Sequence, residues 1–209
     1  MDIVLAHSHA NTLGGGERSV LELARVLRQR HQVRLLLGRF DPLRSYSELA
    51  AFPRQPVGRL AWPLLRVQAD AIIANSAGAN LLSLRNPRVI YWVHSTRSRF
   101  LAAGARRIDL LARRAVDRLA VRRAARLVAN SRYTAMRLRQ LYGVEADVVV
   151  YPGVDLELFQ PAAAAGAYAI TVGRLSPEKG LDRLLAIWRE LPDLPLHVVG
   201  GGPPEVARD

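Results

Sequence analysis

The chain has 209 residues, half of them hydrophobic, no cysteine, and a formal charge of +12 at pH 7. That length holds one sizeable α/β domain and a fragment of a second. Without cysteine there are neither disulfides nor thiolate metal sites, and no apolar run reaches the ~20 residues that span a bilayer.

Short apolar runs alternate with helical patterns, which predicts βαβ units and a doubly wound, Rossmann-like parallel sheet of the α/β class. The start, Met1 to His7, lacks the basic and apolar regions of a signal peptide and looks like a first strand, and the absence of cysteine fits a cytoplasmic location. Ile3 to Ala6 reads as the first strand, and a loop from His7 to Glu17 carries Gly14, Gly15 and Gly16. Val20, Leu21, Leu23, Ala24 and Leu27 then recur at helical spacing, with Arg25, Arg28 and Arg30 outside. Val33 to Leu37 is the second strand. The stretch from Phe40 to Pro63 holds four prolines and reads as a long loop with one helical turn.

Ala71 to Ala74 is a third strand, Ala79 to Leu84 a short helix, and Val89 to Val93 a fourth strand that ends on His94. A long basic helix or helix pair runs from about Leu101 to Arg123. Strand Leu127 to Ala129, helix Tyr133 to Leu141 and strand Val148 to Tyr151 complete a first domain, residues 1–160. The alanine-rich stretch at 161–167 predicts a linker. Beyond it, strand Tyr168 to Val172, helix Leu181 to Glu190 and strand Leu196 to Val199 open a second domain, 168–209. One βαβ cannot cover both faces of a parallel sheet, so this segment is expected to be loosely ordered.

The charge is concentrated. Between Arg97 and Arg139 thirteen arginines face two acids, Asp109 and Asp117, a local charge of +11. Lys179 is the only lysine, and the coding bias of GC-rich genes explains that choice of Arg over Lys but not the clustering. Apolar Leu101, Ile108, Leu111, Ala115, Leu119 and Val121 interleave with the arginines, which predicts an amphipathic helix with a dense cationic face. An anionic membrane surface, phosphorylated substrates or a solvated face each accommodate it. Nucleic acid fits poorly, because no aromatic residue interleaves with the arginines between Leu101 and Arg132.

Two motifs carry chemistry. After the first strand, the glycines let a ligand approach the backbone, and the following helix offers free N–H groups and its positive dipole end to an anion. The spacing is not that of the dinucleotide fingerprint G-x-G-x-x-G. Glu17 reads as a first-turn acid favoured by the dipole. The second motif is Val172-Gly173-Arg174-Leu175-Ser176-Pro177-Glu178-Lys179-Gly180. Here a strand ends, two cations stand five residues apart, and Ser176-Pro177 predicts an N-cap with proline at the first helical position. Arg174 supplies a planar fork and Lys179 a compact charge, both suited to a diphosphate or, equally, to an ion pair with Glu178.

Gly173-Arg174-Leu175 followed by Glu178-Lys179-Gly180 resembles the G-R-L-x-x-E-K-G signature of the retaining GT-B glycosyltransferases of family 4, also called group 1. Gly14-Gly15-Gly16-Glu17 is similar to that family's first glycine loop. Val150-Tyr151-Pro152-Gly153-Val154-Asp155 resembles its segment leading into the linker, and His197-Val198-Val199-Gly200-Gly201-Gly202-Pro203 its second C-domain strand and turn. The four motifs occur in the family's order along the whole chain.

The resemblance implies a transferase that holds a UDP- or GDP-linked sugar between two domains and passes the sugar to a lipid-linked or glycan acceptor, with retention. Arg174 and Lys179 would neutralise the diphosphate, so neither metal nor cofactor is required. Gly15 and Gly16 would approach the phosphates or sugar from the other side, and Gly200, Gly201 and Gly202 would line the nucleotide side. His94, at a strand end, would act as the catalytic-site histidine against the sugar, or serve as a structural hydrogen-bonder. The family's later E-x7-E segment lies beyond Asp209. This implies a chain incomplete by itself, completed by more sequence or by a second chain. A sugar-nucleotide epimerase of the same fold, a non-catalytic subunit or pseudoenzyme, and a basic membrane-binding module at the inner face of the membrane remain open.

Overall fold

A computed structural model describes residues 1–96, 107–157, 159–161, 166–176 and 179–202, with 107–110 described as backbone alone. Two compact units divide between Val154 and Asp155. The expected linker residues 162–165, the start of the basic helix through Arg106 with Arg97 and Leu101, the Pro177-Glu178 pair and Pro203 lie outside the described residues.

The first unit is built on a seven-stranded parallel sheet: β1 (Asp2–Ala10), β2 (Gln32–Phe40), β3 (Arg54–Pro56), β4 (Ala71–Ala74), β5 (Val89–Val93), β6 (Arg126–Ala129) and β7 (Val148–Val149). The spatial order is β3-β2-β1-β4-β5-β6-β7. The chain winds outward from β1 to β3, then crosses back to lay β4 against the other side of β1, with Ile3 paired to Ala71 and Ala6 to Ala74. The gap between β1 and β4 is therefore the point where the winding reverses, and in sheets of this kind ligands bind at such a point, beyond the C-terminal strand ends.

Alternation along β1 explains its central place. Ile3 and Leu5 join Val20, Leu21 and Ala24 of α1 (Gly15–Leu27) in one core, together with Leu35 and Leu37 of β2. Val4 and Ala6 point to the other side. There they pack with Ile72, Val89 and Tyr91, Val121 of α2 (Arg107–Arg123) and Leu138 of α3 (Arg132–Tyr142). Strands buried on both faces in this way read as continuous apolar runs, and β1 does. α3 is bounded as its sequence suggests, with Ser131 Oγ accepting from the Thr134 N–H and Gly143 closing the helix at φ 65°.

Several expectations are corrected. β1 continues to Ala10, so His7, Ser8 and His9 belong to the strand rather than to a loop. The loop reaching Pro63 contains its expected helical turn, a 3-10 turn at Ser47–Ala51, but also the additional strand β3, whose exposed residues carry no apolar signal. The segment Ala79–Leu84 is 3-10 rather than α-helical, and β7 stops at Val149.

Asp117 is the tie between α2 and its neighbours. Its carboxylate accepts from Asn80 Nδ2 at 2.9 Å and from the Tyr142 hydroxyl at 2.6 Å. Burial, followed by that hydrogen bond, pushes the Tyr142 pKa far above its ordinary value. Arg118 and Arg122 donate to the carbonyls of Leu141 and Tyr142, placing two cations at the negative end of α3.

The second unit pairs β8 (Ala169–Val172) with β9 (Leu196–Val199) in parallel, with α4 (Leu181–Trp188) between them in sequence. No residue of this unit is buried among those described. Two strands and one helix enclose too little apolar surface for a core.

Candidate functional site at the switch point

The residues that follow three adjacent strands gather polar groups at one level: Asn75 after β4, His94 after β5 and Asn130 after β6. Each is set by its sheet. The Asn75 N–H donates to the Ala6 carbonyl at 2.8 Å, and the Asn130 N–H donates to the Val93 carbonyl at 3.1 Å. Asn130 Nδ2 also donates to the His94 carbonyl at 3.2 Å. Ser8 of β1 and Ser76 extend the row, with Ser8 N–H donating to Ser76 Oγ at 2.8 Å.

Gly16 and His94, expected to act on one ligand, are brought together through a residue the sequence did not single out. Asn75 Nδ2 donates to the Gly16 carbonyl at 2.9 Å, and Asn75 Oδ1 lies 2.6 Å from His94 Nε2. The ring of Trp92 leans on His94 at 4.6 Å between centroids. Burial, reinforced by the His7 imidazole, lowers the His94 pKa to about 4, so the ring is neutral at pH 7. The signal that would have located Asn75 is its place: a polar residue directly after a buried strand, at the end of the sheet where ligands bind.

Gly15 and Gly16 form the first turn of α1, not a loop ahead of it. The first internal helical bond runs from Arg18 N–H to the Gly14 carbonyl. The N–H groups of Gly15, Gly16 and Glu17 therefore have no partner within the helix. Glu17 is buried and folds back over Gly14, where any side chain would meet its Oε2 at 2.5 Å. Its other carboxylate oxygen accepts from Thr12 Oγ1 at 2.7 Å. A Cβ on Gly15 would meet nothing within 4 Å, whereas one on Gly16 would come within 3.2 Å of His7 Cε1.

In the second unit Arg174 and Lys179 are both exposed on the turn between β8 and α4. The expected N-cap pair Ser176-Pro177 lies partly outside the described residues; α4 itself begins at Leu181 behind Gly180, which takes φ 70°, a conformation glycine adopts without strain. The Ser176 carbonyl instead accepts from the Lys179 N–H at 2.9 Å. Of the three late glycines, Gly200 and Gly202 are explained by packing. A side chain on Gly200 would overlap the Gly173 carbonyl, and one on Gly202 would meet Leu175 at 2.6 Å. Gly201 faces open space.

Residues 13–158 match the family model described as Glycosyltransferase Family 4, well over half of the chain. The chain belongs to glycosyltransferase family 4. Among curated members, the D-inositol 3-phosphate glycosyltransferase of Segniliparus rotundus is 30% identical over 196 residues, covering 79% of this chain and 43% of that protein. The chain thus spans under half the length of that relative. Among solved structures, Anabaena HepE in complex with UDP superposes with a TM-score of 0.73 at 19% identity, covering 98% of this chain and 62% of HepE. An α-glucosyltransferase in complex with UDP gives 0.60 at 16% identity, over 99% and 60%. HepE has also been solved with UDP-glucose. This family 4 chain therefore has the parallel-sheet GT-B fold of these neighbours and covers only part of it.

Proposed function

We propose that the chain carries the N-terminal domain and the opening βαβ of the donor domain of a retaining hexosyltransferase, one that uses a UDP- or GDP-linked sugar. The observation that carries this is the bond chain at the switch point, where α1's open N-terminus and His94 meet through Asn75. Amides of that kind suit a phosphate, and a neutral imidazole suits a sugar hydroxyl. Arg174 and Lys179 supply positive charge for a leaving diphosphate, the task a metal performs in other transferases. The solved neighbours with UDP and UDP-glucose support a nucleotide sugar as partner.

Calorimetric titration of UDP and UDP-glucose tests the proposal. Arg174→Ala and Lys179→Ala should each weaken binding by roughly tenfold or more, since a bond to a charged group is worth about 1.5–3 kcal/mol. Affinity unchanged in both variants would remove them from the donor site. An absolute requirement for Mg²⁺ would overturn the metal-free part.

A second reading concerns where the enzyme works. Leu111, Ala115 and Leu119 stand at i, i+4 and i+8 on the outer side of α2, opposite buried Asp117, Ala120 and Val121. Leu111 is 55% and Leu119 49% exposed. Helical geometry puts Arg118 on one flank of this stripe, Arg123 on the other, and Arg122 at its end beyond Leu119. Among the described residues no carboxylate pairs with any of these three or with Arg113 and Arg114. An apolar stripe between cations matches an anionic bilayer surface, and with it a lipid-linked acceptor. No described helix is long and apolar enough to cross a membrane. Cosedimentation with anionic vesicles tests the surface reading.

A further inference from the structure

Asn75 is 2% exposed, and its side-chain amide is engaged at both ends. Its backbone N–H is bonded to Ala6, and its side-chain amide spans Gly16 and His94. The Gly16 carbonyl can only accept, so the group facing it must be Nδ2. That choice turns Oδ1 toward His94. An amide oxygen can only accept in turn, so the ring nitrogen 2.6 Å away must carry a hydrogen.

We infer that Asn75 is a positioning residue that holds neutral His94 as the Nε2–H tautomer, leaving Nδ1 as a bare acceptor, and that the Gly16 carbonyl fixes this choice. The inference rests on the donor-site function proposed above for its use, but not for its geometry. Its consequence is selectivity. A bare Nδ1 accepts from a hydroxyl and repels a phosphate oxygen, which agrees with the sugar-side place of His94 in the proposed donor site. A second consequence is coupling: displacement of Gly16 loosens the amide that fixes the imidazole.

The test is long-range ¹H–¹⁵N correlation on the chain labelled at histidine. At neutral pH His94 should show a protonated Nε2 and an unprotonated Nδ1. An Nδ1–H tautomer, or an averaged signal from both, overturns the inference without any variant being made. Asn75→Leu should lose the bias and give mixed tautomers. Asn75→Asp should keep the Nε2 proton and move the titration point of His94 upward from about 4, because a carboxylate then faces the ring with His7 as the other titratable neighbour. If Asn75 merely fills space, the tautomer is unchanged in Asn75→Leu, which overturns the inference; the shift in Asn75→Asp checks only that residue 75 faces the ring.

Addition of UDP-glucose should shift His94 Nδ1, while UDP alone should not. If the tautomer is found as stated and neither compound binds, the donor-site function fails and the role of Asn75 stands. A shift of equal size with UDP alone overturns the assignment of His94 to the sugar.

Discussion

Gly38 lies in β2 where that strand passes Ser8 of β1, between the pairs His7–Leu37 and His9–Arg39. A Cβ there would overlap the Ser8 carbonyl, and the backbone on both sides is held by the sheet. Gly38→Ala should therefore lower stability by about 1–3 kcal/mol, the usual cost of forcing extra volume into packed structure. The control is Gly15→Ala, where a side chain meets open space and helix propensity favours alanine by roughly 0.5–1 kcal/mol. Urea unfolding of both variants checks the pair; equal midpoints would mean that β1 and β2 separate at little cost. Sequence alone marked the conspicuous glycines at 14–16 and passed over Gly38, because close approach between strands leaves no local pattern.

At the level of elements, α2 shows how far periodicity can be trusted. The pattern of Leu111, Ala115, Leu119 among arginines correctly predicted an amphipathic helix, yet the apolar side that reaches the core is Ala120 and Val121. The leucines face out. Vesicle binding should follow this geometry: about 1 kcal/mol is expected from each arginine near an anionic surface, declining as salt is raised. Leu111→Ser with Leu119→Ser should reduce binding to anionic vesicles several-fold while leaving the unfolding midpoint unchanged. Full binding by that double variant, or equal binding to neutral vesicles, would contradict the membrane role. Most of the remaining elements were legible within a few residues because buried parallel strands are short apolar runs. β3 was not, since its ladder partner β2 rather than its own composition makes it a strand. The position of Asn75 at a strand end was legible, but its partners were not, for a related reason. Its role depends on β1 and β4 being neighbours, 68 residues apart in sequence at Asp2 and Asp70 yet hydrogen-bonded in space.

For the whole molecule the contrast is between two units of different self-sufficiency. The first has cores on both faces of its sheet. The second leaves Ile170, Val172, Ile187 and Val199 each about half exposed or more. Amide exchange should accordingly be slow through β1, β4 and β5 and fast through 169–199, since local opening follows the number of buried contacts. Equal protection in both units would show that the second folds as tightly as the first. The family 4 assignment rests on the first unit, and the charge-bearing turn of the second is the part whose order should respond to added nucleotide.

The two-stranded sheet has one more consequence. Each of β8 and β9 has a single ladder partner among the described residues, so each also presents one row of N–H and C=O groups to no strand. An open rim of that kind recruits whatever extended polypeptide is near. The short edge strands β3 and β7 of the larger sheet share that property, but among the described residues β8 and β9 lack a buried core behind them, so aggregation on storage is expected to start at their rim. A charged residue or proline placed on that rim is the change that would lengthen storage.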